Sequence, residues 1–576
     1  QYPIWGHTFM RDTLIGMGII LFTFCACLAG EESASPERWP GFLGIGATAI
    51  DPATLPLEWS PTSNVSWQTE LVGTGQSSPL IWGDKVFVTS IDGNMKEDCH
   101  VTALSLADGS RLWDHKMESA QPVRSNYFQS RSAPTPAVDG ERVYAFFETG
   151  KLVALSHDGK ELWVRNLVDE FGEFEVRIGM ASSLAQTADS VFVLVDHEGP
   201  SYLLAVDKAT GETKWQTERF SRQSYASPIV LDICGQPQVV VSSEGSVDGY
   251  DPATGDQLWT MEGVGGNRST TPLPFGDSRF LISASPGMHD EQLDEAKESN
   301  FAMQVVKTDD GFETKVLWKV AKAMPSFGSP MVHQGLAYWV NNVGVLYCFN
   351  AETGETVYTK RSGQLCWATP LGLGDHVYLF GKDGLTTVIA AGPDFKVITK
   401  NELIEGATEV GEADVRRRET QGHQHRGSSA TDSTETKSEG EQPAEGATQE
   451  QPVRRGGRPG SDAADGGDSR GKAEEVATAN EGRSGGRGGR PGRPSGGADG
   501  GSGSGDSQEE GGAPRTRDGR TFADPVQYGY AAVNGSLIIR TGGKVFCLRN
   551  ATTAPVGIKA VKVSAADTAS DEGGNK

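Results

Sequence analysis

Four arginines stand shortly ahead of short apolar runs: Arg131 in FQSRSAPTP, Arg177 in FEVRIGMASS, Arg222 in SRQSYASP and Arg268 in GGNRSTTP. Tyr225 follows Arg222 closely, and Phe327 in MPSFGSP and Trp367 in GQLCWATP hold comparable places further along. Converging guanidinium groups bind carboxylates, phosphates or acidic peptides through paired, charge-assisted hydrogen bonds. Aromatic rings beside them add contact area with little conformational freedom to lose. These residues are therefore a candidate site for a small anionic ligand or a partner protein. The competing reading is that each arginine pairs with an Asp or Glu of its own repeat.

Other chemistries find little support. The ten histidines show no HExxH spacing, and His423 and His425 in QGHQHRG make only a weak metal pair in a polar stretch. Asp108, Asp158 and Asp251 lie in or beside turns and lack the alternating spacing and distal Glu of a calcium loop. There is no Ser-His-Asp order, phosphate-binding loop or dinucleotide fingerprint in a credible context. RRGGR at Arg454 and GRGGR around Arg487 resemble RNA-binding segments, but they are dispersed among acids in a chain of formal net charge −24. No catalytic residue, metal or nucleic-acid partner is expected.

The candidate residues are positioned by a repeat. From Ser224 to Thr260 the chain reads SYASPIVLDICGQPQVVVSSEGSVDGYDPATGDQLWT: four short strands, a DPATG turn, and a last strand ending near Trp259. Copies close at Trp113, Trp163, Trp215 and Trp318, with Tyr358 and Ile398 in that place in the sixth and seventh. So small a unit cannot bury its own faces and must stack on its neighbours. ADPVQYGYAAVNGSLIIRTGGKVFCLRN supplies three strands of an eighth unit, and NVSWQTEL around Trp67 supplies the missing outer strand. The expected fold is all-β: an eight-bladed β-propeller of four-stranded antiparallel blades, closed by the strand around Trp67.

The remaining segments read as follows. Residues 1–30 resemble a secretory signal or anchor, with an apolar run from Leu14 to Leu28 and residues 1–9 potentially extra. A lipidated Cys27 is disfavoured by Phe24. Membrane contact is expected only through an uncleaved signal or lipid anchor. Residues 31–58 read as a linker, 59–403 as seven blades with the closing strand, and 521–550 as the eighth blade. Residues 404–520 read as a disordered Gly/Ser/Glu/Arg-rich insert, without an aromatic residue from Gly406 to Arg520, and 551–576 as a tail. The expected product is an exported, periplasmic or outer-envelope monomer.

Aligned on their turns, the copies place Ala103, Ala154, Ala205, Gly249, Val305, Cys348 and Cys547 in one column of small side chains. This makes Cys348 and Cys547 compact hydrophobes rather than nucleophiles. A second column is Pro79, Pro136, Pro228, Pro272, Pro330, Pro370 and Pro525, each at a strand's first residue.

The stamps ALSLADGSRLW, AVDKATGETKW and GYDPATGDQLW resemble those of propellers built from pyrroloquinoline-quinone (PQQ)-like repeats, the quinoprotein alcohol dehydrogenase-like superfamily. RWPGFLGIG with LPLEWSPTSNVSWQTEL looks like exported planctomycete-type members. The resemblance implies three roles. A PQQ-dependent oxidoreductase of alcohols or sugars would use calcium, a vicinal disulfide and a catalytic Asp, none of which this sequence carries in matching form. An outer-membrane assembly lipoprotein would bring a lipidated cysteine. The expectation is the third, a non-catalytic scaffold in the cell envelope that binds a protein or small ligand, with no cofactor; the other two are its alternatives.

Overall fold

The computed structural model describes residues 36–123, 130–176, 179–287, 292–325, 327–341, 343–407 and 526–551. The signal-like residues 1–30, the insert from 408 onward, the tail from 552, and Arg177 lie outside the described residues.

The strands form eight antiparallel sheets arranged as a β-propeller, with consecutive strands neighbouring in each blade. The fourth blade contains Ile229–Ile233, Gln236–Ser243, Gly245–Tyr250 and Gln257–Val264. Its second strand carries Val239, Val240 and Val241, all fully buried, because a middle strand is covered on both faces by adjacent blades. Val65–Glu70 is the outer strand of the last blade and pairs with Lys544–Leu548, Trp67 lying opposite Cys547. Strands from both ends of the sequence thus share one sheet, closing the ring as the repeat count requires.

The recurring tryptophans join each blade to the next. Trp67, Trp113, Trp163 and Trp215 donate their indole N–H to the carbonyls of Leu106, His157, Lys208 and Pro252, at 2.9 to 3.1 Å, in the last hairpin of the following blade. Trp318 does the same to Ala351 at 2.9 Å. Each bond contributes about 1 kcal/mol net, beyond the area that the ring buries. Trp259 instead donates to Gln238 of its own blade at 2.6 Å. The fifth blade's last hairpin turns over only Asp309 and Asp310, so it lacks the longer turn used elsewhere.

Register corrects three assignments. Ala103, Ala154, Ala205, Gly249, Cys348 and Cys547 do face the aromatic of the outer strand. In the fifth blade, however, Ala302 rather than Val305 lies opposite Trp318. Long strands and a tight turn displace a count made backwards from the hairpin. In the seventh blade Thr399 pairs with Val388, and the bulge that follows leaves Ile398 out of the ladder. In the eighth, Pro525 lies outside the described residues, and Val533 pairs with Ser536 as Leu373 pairs with His376, which puts Tyr530 in the place of Pro370.

Part of the segment read as a linker is built into the ring. Arg38–Trp39 pairs with Ile81 and Trp82 on the inner edge of the first blade. Thr48 returns to donate its amide to the Arg38 carbonyl at 3.0 Å, so residues 38–48 form a finger. Val138 of the second blade donates its amide to the Pro40 carbonyl at 2.9 Å, and Gln186 of the third adds its side-chain amide at 3.2 Å. Trp39 and Leu55 are buried with Tyr530 and Ile538 in one core cluster. The alternation of RWPGFLGIG is too irregular to signal a strand, because it is ordered by the inner edges of other blades.

Candidate functional site

The lead-in segments precede the innermost strands and meet at one end of the channel; the turns after those strands lie at the other. A belt of hydrogen bonds fixes the lead-in end. The amides of Ser78, Thr135, Ser183, Ser227, Thr271 and Ser329 donate, at 2.9 to 3.1 Å, to the hydroxyls of Thr135, Ser183, Ser227, Thr271, Ser329 and Thr369. Each bond passes from one blade to the next. The series stops at Gly529, where a Cβ would come within 2.3 Å of the Ser78 hydroxyl. There Arg540, fully buried, bridges to the first blade by donating Nη1 to the Ser77 carbonyl at 3.2 Å. Burial lowers the pKa of this guanidinium from its ordinary value.

The candidate residues fall into separate groups. Arg222, Tyr225 and Arg268 are brought together around Glu244. Arg268 Nε donates to Glu244 Oε2 at 3.0 Å, and Arg222 Nη1 donates to the Glu244 backbone carbonyl at 3.0 Å and to Ser246 Oγ at 2.8 Å. The Tyr225 and Ala226 amides both donate to the Arg268 carbonyl, at 2.6 and 3.0 Å. Arg268 therefore pairs with an acid of the preceding blade, while these Arg222 contacts are to neutral oxygens.

Phe327 and Trp367 form a second group with Tyr528. Phe327 meets Trp367 edge-on at 5.4 Å, Tyr528 lies 6.2 Å from Trp367, and the Lys382 ammonium sits 5.9 Å from the Trp367 centroid. Phe327 is 48% exposed. A cleft of about 70 Å³ beside these rings is floored by Phe42 and Leu43 of the finger. Arg131 stands apart, only 4% exposed, with Nη1 3.4 Å from Thr74 Oγ1. Burial lowers its pKa, against the opposing influence of Tyr528 and Glu148. The four arginines thus do not form one exposed cluster: Arg222 and Arg268 gather, Arg131 is buried, and Arg177 lies outside the described residues.

Phe220 was not among the residues singled out from the sequence. It is 85% exposed just beyond the outer strand Thr213–Arg219, with the Arg222 guanidinium 6.0 Å from its ring centroid. Its signal is positional: an aromatic residue in ERFSRQSYASP, after a strand whose last member turns inward. Arg219 is that member, buried and bonded to Asp196 at 2.9 Å and Asp248 at 3.2 Å. Those partners give Arg219 a structural role and leave Phe220 facing water. Exposed aromatic and arginine side chains placed together are characteristic of protein-interface anchors.

Among the described residues no group of three or more His, Cys, Asp or Glu side chains is gathered to hold a metal ion. Of the carboxylates at the two ends of the channel, Asp139 is engaged by Lys208 and Glu244 by Arg268. Among the described residues no helix is long and apolar enough to cross a membrane.

A family model described as outer membrane protein assembly factor BamB matches residues 57–183, 172–280 and 303–393, more than half of the chain. The protein of that name from Alkalilimnicola ehrlichii is 25% identical over 211 residues, which cover 36% of this chain and 49% of that protein. A polyvinylalcohol dehydrogenase of Sphingopyxis sp. is 25% identical over 250 residues, covering 39% of this chain and 34% of that protein. The chain thus spans about half or less of these curated relatives. Among solved structures, BamB from Moraxella catarrhalis aligns with a TM-score of 0.41 at 16% identity, over 58% of this chain and 88% of that one. A europium-containing methanol dehydrogenase aligns with a TM-score of 0.35 at 13% identity, over 62% and 90% respectively.

Proposed function

The chain belongs to the family of the outer membrane protein assembly factor BamB, and from that premise we propose that it is a protein-interaction scaffold of the cell envelope that docks its partner on the lead-in end of the ring. The observation that carries this reading is Phe220, 85% exposed beside Arg222. Arg268 and the Phe327–Trp367 pair extend the same end across further blades. The aromatic residues supply area and the arginines supply direction, which favours a partner segment with apolar and acidic side chains. An outer-membrane protein or its assembly machinery is the partner class that the family supports.

A photo-crosslinking residue at position 220 in the exporting cell tests this. A crosslink to an envelope protein is expected from position 220, lost on Arg222→Ala and absent from position 352 on the opposite end. Equal crosslinking from both positions would sink the assignment. The second reading is a PQQ-dependent oxidoreductase of alcohols or sugars, supported by the resemblance to polyvinylalcohol dehydrogenase.

A further inference from the structure

A cavity of about 480 Å³ lies between the finger and the inner strands, reaching from Thr271 of the belt to Asp139 and Thr187 in the turns after those strands. Phe42, Leu43 and Ile45 of the finger form one wall, and Leu184, Ile229 and Trp82 of the blades form the other. Leu43 is held at a φ of 56°, a conformation that costs a residue with a Cβ about 1 kcal/mol or more and persists only where its surroundings impose it. Most of the lining is apolar, as in small-molecule sites.

The polar groups at the cavity have a net sign. Lys208 Nζ lies 3.1 Å from Asp139 Oδ2 and 2.7 Å from Gln186 Oε1, so its charge is matched. Asp139 also accepts from the Tyr144 hydroxyl at 2.9 Å. Arg38, on the same lining, lies 5.7 Å from the Trp82 ring centroid and donates Nε to the Gly46 carbonyl at 3.2 Å. Among the described residues no carboxylate makes an ion pair with Arg38. Two cations therefore face one carboxylate on the cavity lining.

We propose that this cavity binds a small amphiphilic monoanion, its apolar body between the finger and the inner strands and its anionic head at Arg38. The finger supplies both the head-group cation and half of the apolar wall, so the site exists only while residues 38–48 are seated in the channel. It shares Phe42 and Leu43 with the cleft beside Phe327 and Trp367, whereas Arg38 and Ile45 line this cavity and not that cleft.

The full chain is titrated with 8-anilinonaphthalene-1-sulfonate, whose aromatic body and single sulfonate match that chemistry, and fluorescence is followed alongside thermal melting. Saturable binding at one site is expected, displaced by decanoate and not by decyltrimethylammonium. Arg38→Ala should weaken it about five- to tenfold, the range of one charge-assisted contact. Ile45→Asp, which sets a negative charge in a wall residue that is 37% exposed, should weaken it at least as much with little change in melting. Phe220→Ala should leave it unchanged, which separates this site from the exposed aromatics of the lead-in end. Binding unaltered in both Arg38→Ala and Ile45→Asp, equal displacement by the cationic surfactant, or no saturation in the unaltered chain would each overturn the proposal.

Discussion

The ring of Trp163 lies against Gly211 of the following blade so closely that a Cβ built on the glycine would be 2.7 Å from the indole. The same glycine has a φ of 77°, so the turn needs it twice: for backbone conformation and for the space that the neighbouring tryptophan occupies. Gly211→Ala is expected to destabilise the protein by about 3 kcal/mol, combining positive-φ strain with overpacking. Gly235→Ala, at a φ of 82° with nothing within 4 Å of the added carbon, should cost only about 1 kcal/mol. Urea unfolding of both variants reads the difference, and equal losses would remove the interblade contact from the account.

Asp139 is expected to make stability pH-dependent. Burial raises its pKa, but the amides of Glu141 and Arg142 at 2.9 Å and the Lys208 ammonium outweigh that, leaving it below its ordinary value of 3.8. The unfolded chain therefore takes up this proton first as the pH falls. Its contribution is full above the unfolded value and lost as the pH falls through the lower folded value. Asp139→Asn should cost about 2 kcal/mol at pH 7, and the gap between the melting temperatures of the two proteins should narrow below pH 3.8. A gap that widens on acidification would contradict this.

The thiols should divide sharply. Burial pushes Cys99 and Cys348 up to about 11, and Cys366 and Cys547 up to about 12. Cys234 is exposed, near the Ser278 hydroxyl. Iodoacetamide at pH 8 should modify Cys234 in the native protein and reach the other four only after unfolding, as peptide mass mapping would show. Rapid native labelling of Cys348 would contradict its packing role.

The scaffold reading predicts no stoichiometric uptake of PQQ when calcium and the quinone are added together, and no dye-linked oxidation of an alcohol or sugar. A saturable quinone absorbance band accompanied by that oxidation would reverse the order of the two functional readings.

The ring was legible because its joints are local in sequence: a turn, a strand and an indole recur at spacings that a linear reading detects. Where strand length changed, the same reading slipped, exchanging Val305 for Ala302 and Ile398 for Thr399. Neither the hydroxyl belt nor the finger has a local signature, since Ser183 and Ser227 meet across blades and Pro40 is bound by Val138 and Gln186. Arginine placement also depends on such distant partners. Sequence position brought Arg131 and Arg268 into one candidate group, yet Arg131 is buried beside Thr74 and Arg268 is paired with Glu244. Phe220 escaped notice because its exposure follows from Arg219 turning inward to Asp196, a contact between residues 23 apart.

The pairing of Val65–Glu70 with Lys544–Leu548 also sets an order of events during biosynthesis. The outer strand of the last blade is made early and must wait, unpaired, while the intervening chain is synthesised. Seven blades can stack progressively as they emerge, but the two facing surfaces at the gap stay open until Gly529–Leu548 arrive. A chain halted before that point would carry exposed strand edges and apolar faces, and would be open to proteases and to chaperones that hold unfinished sheets. The strands from Gly529 to Leu548 therefore act as the latch for the whole ring.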